Sequence, residues 1–253
     1  MTLDRRSFLL GTGLTALGLV GCAKKATPES SGATGGTTTA ASIPADENPR
    51  SCRPSDSLKA LKDGNARFAA AWEKKNSANT PQERAQVMSN LWLDNCFLPA
   101  SVLSEGQAPW ATVLTCADSR LAPEWIFDAA PSDLFVIRSA GNTAFDDAIA
   151  SMEFGVLALK TPLIMVMGHS ACGAVKAAQG DELPTPLLTE LVKPIRAAIQ
   201  PGQDVETATK ANASYAAKQL TARSEVIKDA VDNGTLQIVV GYFDIGSGKV
   251  TIV

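Results

Sequence analysis

At 253 residues, 45% of them hydrophobic and 19% charged, the chain is long enough and ordinary enough in composition to build one substantial core. Its net charge of −3 lacks the basic excess that a nucleic-acid-binding face requires, so no nucleic-acid partner is expected. No apolar run is long enough to span a bilayer as a mature helix.

Taken from the amino end, the chain opens with a leader. Arg5-Arg6 precede Ser7-Phe8-Leu9-Leu10, and an apolar stretch continues to Gly21, too short for a membrane span and suited to a signal core. Asp4-Arg5-Arg6-Ser7-Phe8-Leu9 resembles a twin-arginine export signal, and Leu19-Val20-Gly21-Cys22 resembles a lipobox, whose cysteine is lipidated. The expectation is a signal over residues 1–21, lipidation at Cys22, and a protein of the periplasm or cell envelope that meets the membrane through this anchor alone. From Ala23 to about Asn48, Ala, Thr, Ser, Gly and Pro dominate; so little apolar surface cannot offset the entropy of ordering, and residues 22–54 read as a flexible tether.

A globular domain is expected over residues 55–253. Leu58, Leu61, Asn65, Phe68 and Trp72 recur at helical steps, interrupted at Gly64-Asn65, and a second helix is predicted between Pro81 and Leu93. Cys52 and Cys96 flank this region with no ligand-like spacing; the sequence is equally compatible with a disulfide between them and with two buried thiols. Then the pattern changes. Ala111–Thr115, Leu134–Ile137, Leu163–Met167 and Leu236–Val240 are short apolar runs, the signature of strands buried on both faces of a parallel sheet. Ile149, Met152, Val156 and Leu157 mark a helix between the second and third runs, and a long helical stretch runs from about Val205 to Asn233. Gly246-Ser247-Gly248 predicts a turn that returns Lys249–Val253 as an antiparallel edge strand. The fold class is therefore α/β: a mostly parallel central sheet of four strands with an antiparallel edge strand, helices on both faces and an N-terminal helical extension.

The chemistry-bearing residues fall where three of these strands end, the place where open parallel sheets bind ligands. Cys116-Ala117-Asp118-Ser119-Arg120 follows the first run and His169-Ser170-Ala171-Cys172 the third, with Arg138 after the second. Two thiols and an imidazole form a nitrogen–sulfur donor set of the kind zinc prefers, so Cys116, His169 and Cys172 are the candidate metal ligands and Zn2+ the expected cofactor. His169 is the single histidine of the chain, so no second imidazole competes for that role or can relay protons. Three ligands leave a fourth position for water, whose pKa zinc lowers from about 15.7 toward roughly 7. Asp118 either closes the site as a fourth ligand or leaves it open by accepting a hydrogen bond from the water, with Arg120 holding it in the second role; the sequence does not choose between them. Gly173 is expected to allow close backbone approach at a helix start, and Arg138, Gly141 and Asn142 to shape the site.

Four ordered motifs carry a family resemblance. Gly106-Gln107-Ala108-Pro109-Trp110 running into Cys116-Ala117-Asp118-Ser119-Arg120, then Arg138-Ser139-Ala140-Gly141-Asn142, then Gly168-His169-Ser170-Ala171-Cys172-Gly173, and the ending Gly241 to Val250 are similar to signatures of the beta-class carbonic anhydrases. Leu61-Lys62-Asp63-Gly64-Asn65-Ala66-Arg67-Phe68 matches a frequent opening of that class. The resemblance implies reversible hydration of carbon dioxide to bicarbonate by a zinc-bound hydroxide, Asp118 and Arg120 as the assisting dyad, and Gln107 as an amide lining the carbon dioxide pocket. It also implies a homodimer or higher homo-oligomer. Carbon disulfide or carbonyl sulfide hydrolysis on the same fold, or a catalytically silent zinc-binding protein, are the alternatives.

Overall fold

The computed structural model describes residues 48–181 and 183–253. The expected signal, the lipobox with Cys22 and most of the expected tether lie outside the described residues. Its last residues do not: Cys52 forms a disulfide with Cys96, and the Arg53 guanidinium donates to Ala108 O, Pro109 O, Leu159 O and Lys160 O at 2.6–3.1 Å. The chain is thus fastened to the domain from Cys52, three residues before the expected domain start at residue 55.

Among the described residues the sheet has five strands, β1 Ala111–Cys116, β2 Leu134–Ser139, β3 Leu163–His169, β4 Gln237–Asp244 and β5 Lys249–Ile252. Their order is β2-β1-β3-β4-β5, parallel except for β5, which pairs antiparallel with β4. The continuous apolar runs are explained by their surroundings, because alternate residues feed two different cores. Val113, Met165 and Met167 pack in one with Leu61, Phe127 and Ile195, while Leu114, Ile164 and Val166 pack in the other with Ile149, Met152 and Leu220. The first core is covered by α1 Ser57–Asn76, α4 Pro123–Ile126, α6 Gly173–Gln179 and α7 Pro186–Ala198. The second is covered by α5 Asp146–Leu157, α8 Val205–Arg223 and α9 Glu225–Asp232. Two further helices, α2 Pro81–Met88 and α3 Ala100–Leu103, lie between α1 and β1 in the chain.

Several element boundaries differ from those predicted. Helix α1 runs unbroken through Gly64-Asn65, because both residues serve packing. A Cβ at Gly64 would stand 1.8 Å from Phe127 O, so only glycine lets α1 lie against the segment after α4. Asn65 is buried and bonds three backbone groups: its Nδ2 donates to Ile126 O and Gly248 O, and its Oδ1 accepts from Val250 N. That last bond occupies backbone of the edge strand β5. Two residues on, Arg67 pairs with the buried Asp128 at 2.5 Å. The second helix stops at Met88, short of Leu93, and the following turn places Trp92 at a φ of 72°. The stretch over 205–233 is two helices, divided at Ser224, whose extended backbone ends α8 and whose hydroxyl caps α9 through Ile227 N. Helix α7 was not anticipated; Pro186 at its first turn and Thr185 as its cap mark its start.

Candidate metal centre

Strands β1 and β3 are neighbours, so their carboxyl ends bring Cys116 and His169 side by side. The chain then turns through Ser170 and Ala171 to Cys172, which stands at the amino end of α6. Ala171 carries a φ of 55°, a left-handed conformation that costs an L-residue roughly 1–2 kcal/mol, and it turns the chain between the two ligands His169 and Cys172. Ser170 braces the turn: its N–H donates to Phe243 O and its hydroxyl oxygen accepts from Ile245 N, both at 2.9 Å. The β4–β5 connection thereby holds the histidine segment in register.

The result is a compact donor set. The ligand atoms of Cys116, His169 and Cys172 all lie within 4.8 Å of one another, and the three residues are buried, with exposures of 4%, 0% and 0%. His169 Nδ1 lies 3.0 Å from Ser170 O, a carbonyl that can only accept, so Nδ1 bears the proton and Nε2 presents its lone pair. That buried Nε2 has no hydrogen-bond partner among the described residues, which is the signature of an imidazole built to ligate. The two thiols compete for one proton. A hydrogen bond from Cys172, aided by the Gly141 and Asp118 amides, holds the Cys116 thiol well below its ordinary range against the effect of burial. Cys172 is pushed up, first by that shared hydrogen bond and then by burial. A divalent cation in place of the shared proton lets both sulfurs be thiolates. Two buried sulfurs and one imidazole nitrogen converging in this way form a donor set that fits zinc.

Asp118 is beside this set but turned to Arg120. The guanidinium donates Nε to Oδ1 at 2.9 Å and Nη2 to Oδ2 at 2.6 Å, and the Arg120 amide adds a third bond to Oδ1 at 2.9 Å. Arg120 thereby holds the Asp118 carboxyl well below the usual carboxylate range. Asp118 Oδ2 remains 3.9 Å from His169 Nε2, near the ligands without joining the cluster. Arg138 lies within β2, not after it, and ties the loop from outside by donating to Cys116 O and Asp118 O.

Two of the sequence-level readings find no support in the geometry. A Cβ at Gly173 would meet nothing within 4 Å, so close approach is not the reason for glycine there. The crowded glycine is Gly141, at a φ of 73° with Ile195 Cδ1 2.6 Å from where its Cβ would be, and its amide donates to Cys116 Sγ at 3.2 Å. Gln107 is exposed, four residues before β1, whereas Cys116 ends that strand. The length of β1, roughly 17 Å at about 3.3 Å per step, thus lies between the segment of Gln107 and the ligand Cys116. Asn142 is buried with neither side-chain polar atom partnered among the described residues.

Comparison with known proteins agrees with this geometry. The family described as "Carbonic anhydrase" matches residues 111–250, which include every residue of the cluster. A carbonic anhydrase of Mycolicibacterium smegmatis is 32% identical over 208 residues, covering 79% of this chain and 93% of its own. Among solved structures, the beta-carbonic anhydrase CcaA is 30% identical with a TM-score of 0.55, over 59% of this chain and 75% of that one. A tetrameric beta-carbonic anhydrase from Sordaria macrospora shares the fold, at 24% identity and a TM-score of 0.56, over 74% and 96% of the two chains. A central parallel sheet, a buried Cys-His-Cys donor set at its carboxyl end and a family match across both place this chain in the beta-class carbonic anhydrase family.

Proposed function

We propose that the protein hydrates carbon dioxide reversibly to bicarbonate and a proton at a zinc ion held by Cys116, His169 and Cys172, with Asp118 and Arg120 as the assisting dyad. Zinc, when bound, makes water a competent nucleophile toward the carbon of carbon dioxide near neutral pH. The observation that carries the reading is the commitment of Asp118 to Arg120 through three hydrogen bonds, which keeps the carboxylate as an acceptor and leaves the fourth metal position for the reaction. Asp118, ionised by its arginine, orients a hydroxyl donor next to the cluster; Arg120 is itself steadied by a 3.3 Å bond to Ala171 O. Arg138 fixes the carbonyls of Cys116 and Asp118, so the carboxylate and the first ligand move together.

Stopped-flow hydration with zinc determined on the same sample tests this. The wild-type protein is expected to hold close to one zinc per chain and to be active, and Asp118→Asn to keep the zinc while losing about 10²–10⁴ in rate, the range of a positioned proton-handling group. An active Asp118→Asn protein would remove the dyad from the mechanism. The proton also needs a way out. The chain has one histidine and the proposal spends it on the metal, so the rate is expected to rise with buffer concentration until another step limits; a rate flat across the series contradicts a buffer-mediated exit.

Assembly and location belong to the same proposal. A homodimer or larger homo-oligomer is part of this reading, supported by the tetrameric description of the Sordaria macrospora enzyme. The paired arginines Arg5-Arg6, the lipobox ending at Cys22 and the Cys52–Cys96 disulfide together support export to an oxidising envelope compartment and anchoring through Cys22.

A further inference from the structure

Helix α8 touches the strand that carries His169 and the turn whose amide meets the Cys116 sulfur, and does so with residues one turn apart. Thr209 lies against Gly168, the residue before His169: a Cβ there would stand 2.8 Å from Thr209 Cγ2. Asn212, 2% exposed, sends its Nδ2 to Gly141 O at 2.8 Å. Gly141 in turn gives its amide to Cys116 Sγ at 3.2 Å. No residue of α8 belongs to the signatures that surround the ligands, yet this helix bears on β3, which delivers His169, and on the turn after β2 that reaches the Cys116 sulfur.

We propose that Asn212 is a positioning residue of the metal centre: by holding the Gly141 carbonyl it keeps the Gly141 amide on the Cys116 sulfur. This rests on the zinc reading of the site. Gly141 sits in the left-handed region at a φ of 73° and a ψ of 24°, in a turn whose ends Ser139 and Thr143 tie to each other but whose centre has no side chain to anchor it. The Asn212 amide supplies that anchor from outside. An N–H aimed at a buried thiolate stabilises its negative charge and fixes the sulfur lone pairs toward the ion. Without the Asn212 bond the Gly141 carbonyl is buried and unpaired, the turn is free to rotate to find another donor, and the amide leaves the sulfur. Partners of this kind, one step outside the ligands, change metal affinity about 10- to 100-fold when removed.

Full-length protein stripped of metal, titrated with zinc against a chromophoric chelator, gives the readout. Asn212→Asp, closest in shape but with an acceptor facing the Gly141 carbonyl, and Asn212→Ala are each expected to weaken zinc at least tenfold. The sulfur-to-metal charge-transfer band of the cobalt-substituted protein should shift with them. Leu220→Ala, in the same helix and fully buried in the core away from the ligands, is expected to lower thermal stability while zinc affinity stays within twofold. A folded Asn212→Asp protein that binds zinc within twofold of wild type overturns the positioning role, as does an equal loss of affinity in Leu220→Ala. Wild-type protein that takes up no zinc overturns the metal reading itself.

Discussion

Cys172→Ser is expected to fold and to lose both its zinc and its hydration activity. The two halves of that outcome have separate causes. Cys172 occupies the N-cap of α6 without a side-chain capping bond, a position where serine is among the preferred residues, so the start of the helix tolerates the exchange. The metal does not. Serine stays a neutral hydroxyl at neutral pH and offers zinc no charge, whereas the cluster supplies its negative donors from two sulfurs only. Zinc sites are worth roughly 10–16 kcal/mol over four ligands, so one strong ligand accounts for about 3–4 kcal/mol, or about two to three orders of magnitude in affinity. Zinc added to stripped wild-type protein should raise its melting temperature, by about 4 kcal/mol of stability at a thousandfold excess over the dissociation constant. The serine variant should show little of that shift and carry little metal through purification. A variant that retains near-stoichiometric zinc would remove Cys172 from the ligand set.

The double variant Cys52→Ser/Cys96→Ser should melt well below the wild type while remaining active. The disulfide closes a loop across a sequence separation of 44, for which the chain-entropy estimate is about 4 kcal/mol. For a domain of this size that corresponds to roughly 8–16 °C in melting temperature. The segment it secures has few other fastenings. Only Met88 of α2 is buried, and the turn after it depends on Asp128, which accepts from Trp92 N through its carboxylate and from Asn95 Nδ2 through its carbonyl. Activity should survive because within one chain the staple is remote from the metal ligands: Arg53, next to Cys52, bonds the carbonyls of Ala108 and Pro109 at the amino end of β1, and Cys116 ends that strand. Scanning calorimetry with hydration assays on the same samples checks both parts, and a melting temperature within 2 °C of wild type would show that Arg53 and Asp128 suffice.

Much of this was legible before any coordinates. Strands buried on both faces write themselves as unbroken apolar runs, and the four parallel ones were readable as such, as was the return of β5 after Gly246-Ser247-Gly248. The ligand triad was legible because two cysteines and a lone histidine at strand ends have few other uses. What stayed hidden depends on partners distant in sequence. Gly64-Asn65 reads as a helix breaker until Phe127 and β5 supply the reason to keep them inside α1. Ser224 reads as one more polar residue in a long helix until its bond to Ile227 N restarts the chain as α9. Gly173 and Gly141 look alike in the sequence, and only the crowding by Ile195 tells which one needs to be glycine. Asn212 carried no signal at all, since a mid-helix asparagine is ordinary until its amide is seen on Gly141 O.

The four cysteines of the described residues divide into an oxidised pair, Cys52 and Cys96, and a pair of free buried thiols, Cys116 and Cys172. Four thiols can be joined into two bridges in three ways. Every one of those complete pairings consumes Cys116 and Cys172, including the one that makes the correct Cys52–Cys96 bond. Full oxidation and a working metal centre are therefore mutually exclusive in this chain. Zinc on the cluster acts as a protecting group: it withholds two thiols from oxidation and so directs the oxidant to the other two, making the order of metal loading and disulfide formation a determinant of how much active protein results.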